Sequence, residues 1–333
     1  MRAMVLGGVK PVEQAPLELR DIPVPETGPG DVLIRVRCCG VCHTDLHIVT
    51  GELQAHRLPV VPGHEVVGTV EKAGEGTGRF AAGQRVGAAW LRSACGECRF
   101  CLSGRENLCE KARFNGYDAD GGYAELMAVP ERFVYGIPDK FVDEEAAPLL
   151  CAGIVGYRAL VLSGIRPGGT LGMYGFGGSA HIGLQVAKHW GARVYVFTRS
   201  EAHRTMARAL GADWTGSAKD EPPAKLTNAI IFAPVGSLYL DALRVLDRGG
   251  TVVSAGIHMS RIPELDYDTY LYHERTMLSV ANATRKDGEE LLKVAAEVPV
   301  RTTVRTFPLD AANEALRLLR AGRIDGAAVL KIG

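Results

Sequence analysis

The chain has 333 residues, more than one ordinary hydrophobic core holds, so two domains are expected. Hydrophobic residues make up 47% and charged residues 23%, a balance that excludes a disordered or fibrous chain. The 38 basic residues match the 38 acidic ones, which argues against nucleic acid or anionic lipid as a partner, and no apolar run approaches the ~18 residues of a membrane span.

The N-terminus lacks the charged start, apolar stretch and small-residue site of a cleavable leader, so a cytoplasmic location is expected. To about residue 148 the chain reads as strands and loops. Residues 31–37 (DVLIRVR) alternate in part, as a half-buried strand does, and residues 66–71 and 84–89 are further short strand candidates set off by glycines. Beyond residue 151 strands and helices alternate. Strands are expected at 170–175, 193–198, 228–233 and 251–256, with helices at 179–190, 201–210 and 238–246. Helices at 289–296 and 313–321 and a strand at 327–332 close the chain. Alternation of this kind implies a parallel sheet covered on both faces.

Cys95, Cys98, Cys101 and Cys109 follow a C-x2-C-x2-C-x7-C spacing among Gly, Arg, Glu and Asn. Four thiolates on one short loop suit the closed tetrahedral shell of a structural zinc. Two disulfides, or thiols buried in a core, fit the polar setting and two-residue gaps less well. An iron–sulfur cluster would place the fourth cysteine three residues on, with Pro after it, whereas here the gap is seven and Glu110 follows.

The run Gly175-Phe176-Gly177-Gly178-Ser179-Ala180 follows a strand and opens a helix. It fits the dinucleotide fingerprint G-x-G-x-x-G/A, with Ala180 in the last position. Gly175 allows the tight turn, Gly177 lets backbone approach the pyrophosphate, and the helix N-terminus offers free amides to phosphate. At the end of the second strand, where a carboxylate would bind the adenosine ribose, the chain has Thr198-Arg199-Ser200. Hydroxyls and a guanidinium suit a 2′-phosphate, so NADP(H) is favoured. NAD(H), with Arg199 in solvent and Glu201 on the ribose, is the alternative.

Three further residues lie far apart but in suggestive settings: Cys42 in GVCHTDLH, His64 in PGHE, and Cys151 in LLCAG. With both cysteine motifs and the fingerprint in this order, essentially the whole chain resembles a zinc-dependent alcohol dehydrogenase of the medium-chain dehydrogenase/reductase superfamily. The resemblance implies a GroES-like, β-rich catalytic domain at 1–150, a Rossmann doubly wound nucleotide domain at 151–282, and a return to the catalytic domain at 283–333. It implies two zinc ions per subunit, the catalytic one on Cys42, His64 and Cys151. Glu65 would approach that metal transiently, and Asp45 would orient His64. Thr44 would contact the substrate oxygen and His47 would release the proton to water, the alternative for His47 being an ordinary surface histidine. His43 and Arg285 match positions on the cofactor phosphates.

Trp90 and Tyr117 match aromatic substrate-pocket positions, and Leu53 stands where yeast-type enzymes place tryptophan. A pocket wider than ethanol needs is expected, while the Thr44 methyl disfavours bulky secondary alcohols. The implied reaction is reversible hydride transfer between a primary alcohol or aldehyde and NADP(H), in a homodimer or homotetramer. A polyol dehydrogenase is the runner-up, although that branch typically carries glutamate where this chain has Cys151. Zinc-free reductases of the superfamily lack the Cys/His/Cys set. Cys38 and Cys39 are read as buried free thiols.

Overall fold

The strand Asp31–Val41 organises the first half of the molecule. In the computed structural model, which describes residues 1–298, 300–324 and 326–333, it is the hub of a seven-stranded sheet. Along the main path the order is Val304–Pro308, Ala327–Lys331, Asp31–Val41, Glu65–Ala73, Arg85–Ala88 and Val134–Gly136, and Leu126–Pro130 also pairs with Asp31–Val41. The strand runs four residues beyond the alternating stretch at 31–37, through Cys38 and Cys39. Both thiols are buried and all eight cysteines are free. The added residues fail the alternation test because both faces are covered there, so neither face is marked by polar side chains.

The chain divides into two compact units. One comprises Met1–Cys151, Thr284–Lys293 and Arg301–Gly333, and the other Ala152–Ala283 and Val294–Val300. In the first, Asp31–Val41 and Glu65–Ala73 are antiparallel with Gly40 opposite Glu65. This register sets the end of one strand beside the start of the next, so the residues just outside, Cys42 and His64, become neighbours. The short 3₁₀ turn Ala147–Leu150 is fully buried and delivers Cys151 at its end.

The second unit carries a six-stranded, all-parallel sheet. Its order is Trp214–Gly216, Arg193–Phe197, Thr170–Tyr174, Leu226–Ile231, Leu246–Ser254 and Thr276–Ser279. Thr170–Tyr174 is buried throughout and leads into the fingerprint, and the helix Gly178–His189 follows. Tyr174 and Phe197 stack across the sheet with ring centroids 4.2 Å apart. The helix Glu201–Ala209 starts where expected, at the Ser200 cap whose Oγ accepts from His203 N, whereas Arg285–Glu297 starts four residues before 289 because Thr284 and Asp287 cap it. No single helix among the described residues is long and apolar enough to cross a membrane.

Candidate active site and metal centres

Cys42 is the N-cap of the helix His43–Thr50, and its sulfur accepts from Thr44 N at 3.2 Å. Asp45, three residues into that helix, is wholly buried. One carboxylate oxygen accepts from Cys42 N at 3.0 Å and the other from Gly63 N at 3.1 Å. The latter oxygen also lies 3.2 Å from His64 Nδ1, an ion-pair distance off the line of a good hydrogen bond. Asp45 therefore grips the backbone beside both Cys42 and His64, and turns the Nε2 edge of the imidazole toward the sulfurs.

On that side, His64 Nε2 lies 3.3 Å from Cys42 Sγ, and Cys151 Sγ lies 3.9 Å from the same sulfur. A Glu65 carboxylate oxygen completes the group, all four ligand atoms lying within 4.8 Å of one another. Gly40 makes this possible, since a Cβ there would stand 1.9 Å from Glu65 Oε2 and 2.8 Å from Glu65 Cβ.

Negative charge crowds this pocket. The Cys42 thiol is drawn well below its usual value by its hydrogen bond with Cys151, against the effect of burial and with help from the His64 charge. Burial, and then the Cys42 thiolate, push the Glu65 carboxyl well above the usual carboxylate range. Burial pushes the His64 imidazole down, but the charges of Asp45 and Cys42 outweigh it and raise it well above its usual value. The donors suit a divalent cation in spacing as well as charge. Bonds of about 2.3 Å to sulfur and about 2.0–2.1 Å to nitrogen, at tetrahedral angles, separate two sulfurs by about 3.8 Å and a sulfur from a nitrogen by about 3.6 Å.

The four-cysteine loop meets the same test. Cys109 Sγ lies 3.5 Å and Cys101 Sγ 3.8 Å from Cys95 Sγ, and the four sulfurs all fall within 4.8 Å of one another. Those separations are far beyond an S–S bond of about 2.05 Å and close to the spacing of a tetrahedral thiolate shell. Backbone N–H groups of Glu97 and Cys98 bring the Cys95 thiol down to about 6, so one sulfur is already disposed to ionise.

Around the first pocket, Trp90 meets the His64 ring edge-on at 4.9 Å. Trp90 also stacks on Phe114 at 4.9 Å and lies 5.7 Å from Tyr117, whose hydroxyl donates to Gln54 O. Leu53 is partly buried against the core. The aromatic wall thus includes Phe114, which sequence reading missed; a second aromatic three residues before Tyr117 was its only signal. His47 Nδ1 lies 2.5 Å from Glu52 Oε2, and Arg320 Nη1 bonds the other oxygen of Glu52 at 3.2 Å. His43 is exposed, its ring 6.4 Å from that of His47. Arg285 is held by Glu106, a buried residue of the four-cysteine loop.

In the other unit, Gly175 has φ +89°, and a Cβ there would press on Ala233 N at 2.9 Å. A Cβ at Gly177 would meet nothing within 4 Å, so the turn is open outward, while Gly178 begins the helix and Ala180 is fully buried. Thr198 is buried, Arg199 exposed, and Ser200 committed to the helix cap. Glu201 pairs with Arg208 at 2.8 Å and Arg204 at 3.4 Å.

Two family models match the chain: the alcohol dehydrogenase GroES-like domain at residues 28–139 and the zinc-binding dehydrogenase at residues 178–297. A probable alcohol dehydrogenase, AdhA, of Mycobacterium tuberculosis is 49% identical over 97% of this chain and 94% of its own length. The chain belongs to the alcohol dehydrogenases of the medium-chain dehydrogenase/reductase superfamily. The enzyme is also similar to solved structures. One, described as an NAD-dependent alcohol dehydrogenase, has a TM-score of 0.90 at 30% identity and full coverage of both chains. Another, a CAD from Helicobacter pylori complexed with NADP(H), has a TM-score of 0.88 at 26% identity and 99% coverage of both.

Proposed function

We propose that the enzyme interconverts primary alcohols and aldehydes with a catalytic zinc held by Cys42, His64 and Cys151, using NADP(H). The convergence of those three donors, with Asp45 orienting the imidazole, is the observation that carries the reading. A zinc ion there supplies a Lewis acid for the alcohol or aldehyde oxygen, and the nicotinamide supplies hydride chemistry. The Thr44 hydroxyl, on the helix that starts at Cys42, is the group to hydrogen-bond the substrate oxygen. His47 gives its Nδ1 hydrogen to the Glu52 carboxylate, which leaves Nε2 as the nitrogen that exchanges protons with water. Trp90, Phe114 and Tyr117 exclude water from one side of the pocket and favour apolar or aromatic substituents. Cys95, Cys98, Cys101 and Cys109 would hold a second, structural zinc.

The preference for NADP(H) draws support from the engagement of Glu201. A carboxylate spent on Arg204 and Arg208 of its own helix is poorly placed to accept from a ribose hydroxyl. Arg199 is exposed at the strand end with no such commitment. Steady-state rates with NADP(H) and NAD(H) over a panel of primary and secondary alcohols and aldehydes, alongside metal analysis, test the proposal. Two zinc ions per chain and faster turnover of primary substrates with NADP(H) are expected. Fastest turnover of secondary alcohols, or full activity with Cys42→Ser, would refute it.

A further inference from the structure

Arg92 stands in the short strand Leu91–Ser93 of the first unit, and its guanidinium is fixed from one side. Nη1 donates to Ala128 O at 2.6 Å and to Asn115 Oδ1 at 3.3 Å. The Asn115 amide is itself pinned, since its Nδ2 donates to Ala89 O at 2.7 Å. The other edge, Nε and Nη2, makes no hydrogen bond or ion pair among the described residues. The side chain is half-buried, and burial pushes its guanidinium down. The carboxylates of Asp31 and Asp120 pull the other way, from beyond ion-pair distance. A planar fork held at one nitrogen, with a two-donor edge unused, matches the geometry of a carboxylate.

This arginine borders a cleft of about 460 Å³, within the roughly 300–1,000 Å³ span of small-molecule sites. Much of the cleft wall is apolar, with Val5, Val60, Val61 and Met127 all buried. Val24 adds an apolar side chain that is 50% exposed, so the cleft is uncovered on that side. The other charges of the wall are committed or hydrated. Asp120 Oδ1 accepts from Val61 N at 3.0 Å, its Oδ2 accepts from Arg57 Nη2 at 3.1 Å, and Glu26 is exposed. The whole cleft belongs to the first unit, and neither Cys42, His64 nor Cys151 borders it.

We propose that this cleft binds a small organic acid, with its carboxylate on the free edge of Arg92 and its hydrocarbon chain along the apolar wall. At about 30 Å³ per group, the volume holds roughly fifteen non-hydrogen atoms, enough for a carboxylate with a chain of about six to ten carbons. A pinned arginine gives up little rotamer freedom on binding, and the burial of methylenes supplies the rest of the affinity. The inference does not rest on the proposed reaction, since the cleft stands apart from the metal pocket.

Octanoate titrated into the zinc-loaded enzyme, followed by ligand-observed NMR, tests this. One site per chain with a Kd of about 1 mM or below is expected. Acetate, which lacks the chain, and octanamide, which lacks the charge, should each bind at least about tenfold more weakly. Arg92→Met should weaken octanoate at least about tenfold, and Arg92→Lys, which keeps the charge without the fork, about threefold or more. Should Arg92→Met not fold, Val24→Trp takes its place, because it fills the cleft from its exposed side and should also weaken octanoate at least about tenfold. Alcohol turnover should be unchanged in both variants. Failure of wild type to bind octanoate, or equal binding of octanamide, would overturn the proposal. So would octanoate binding untouched by Arg92→Met and Val24→Trp, which would place the acid elsewhere. A change of sedimentation mass in Val24→Trp would likewise overturn it, by assigning the cleft to a second copy of the chain.

Discussion

Replacing Asp45 with Asn tests how the metal pocket is held. The carboxylate accepts from two backbone donors, Cys42 N and Gly63 N, and faces the imidazole nitrogen of His64. An amide of the same shape has one oxygen. It can serve Cys42 N or Gly63 N but not both, and its NH2 group then faces an N–H donor. A lost hydrogen bond to a charged acceptor costs about 1.5–3 kcal/mol. The loss falls on the backbone beside two of the three proposed ligands, and the imidazole loses its counter-charge as well. Changes to partners of metal ligands commonly weaken metal binding about 10–100-fold, or about 1.4–2.7 kcal/mol, the same range. Asp45→Asn should therefore lose one of two zinc ions during dialysis against a mild chelator, while the zinc of the four-cysteine loop stays. Metal analysis at graded chelator concentration, beside kcat/KM, reads this directly. If the variant keeps both ions at every chelator concentration that wild type withstands, the buried carboxylate is not what holds the pocket together.

Three further outcomes follow from the same geometry. Gly40→Ala puts a methyl within 1.9 Å of Glu65 Oε2, so the carboxylate must move; overpacking of this kind costs about 1–3 kcal/mol. A lower melting temperature and altered zinc retention are expected, and unchanged values would mean that Glu65 moves freely. Cys98→Ser removes one of four converging sulfurs and should lower folded yield, melting temperature and zinc content by one ion, with the Cys42 pocket still loaded. Glu131 gives a pH test. Burial pushes its carboxyl up, but backbone donors from Gly78, Phe80 and Arg79 outweigh burial and hold it below the usual carboxylate value. A depressed acid adds stability that is present above its unfolded value of about 4.3 and is lost as pH falls through the folded one. Thermal melts should show wild type losing its advantage over Glu131→Gln as the pH drops below about 4; a constant gap down to pH 2 would contradict this.

The parts of the protein that were legible in the chain are those encoded over short spans. The four cysteines span fifteen residues and the fingerprint six, so spacing alone carries them. The left-handed Gly211 similarly marks the end of one helix, while Ser200, read in the chain as a phosphate-binding hydroxyl, caps the start of that helix instead. What escaped depends on register and distance. Gly40 looks like any glycine until pairing sets it opposite Glu65. Glu106 and Arg285 are 179 residues apart, and nothing near either announces the other. The edge strands Trp214–Gly216 and Thr276–Ser279 are three and four residues long, too short for any period to register. The start of Leu246–Ser254 was hidden because Leu246 also continues the apolar face of the preceding helix, and only the neighbouring strand decides between the two. The ligands Cys42, His64 and Cys151 stand between these cases. Each local setting was readable, but their meeting requires the antiparallel turn-back that sets Cys42 beside His64 and the buried turn that brings in Cys151. A resemblance to a family supplied that long-range information in advance. Physical reading of the chain alone would have found a structural metal loop and a dinucleotide site, and would have left the catalytic pocket as three unconnected residues.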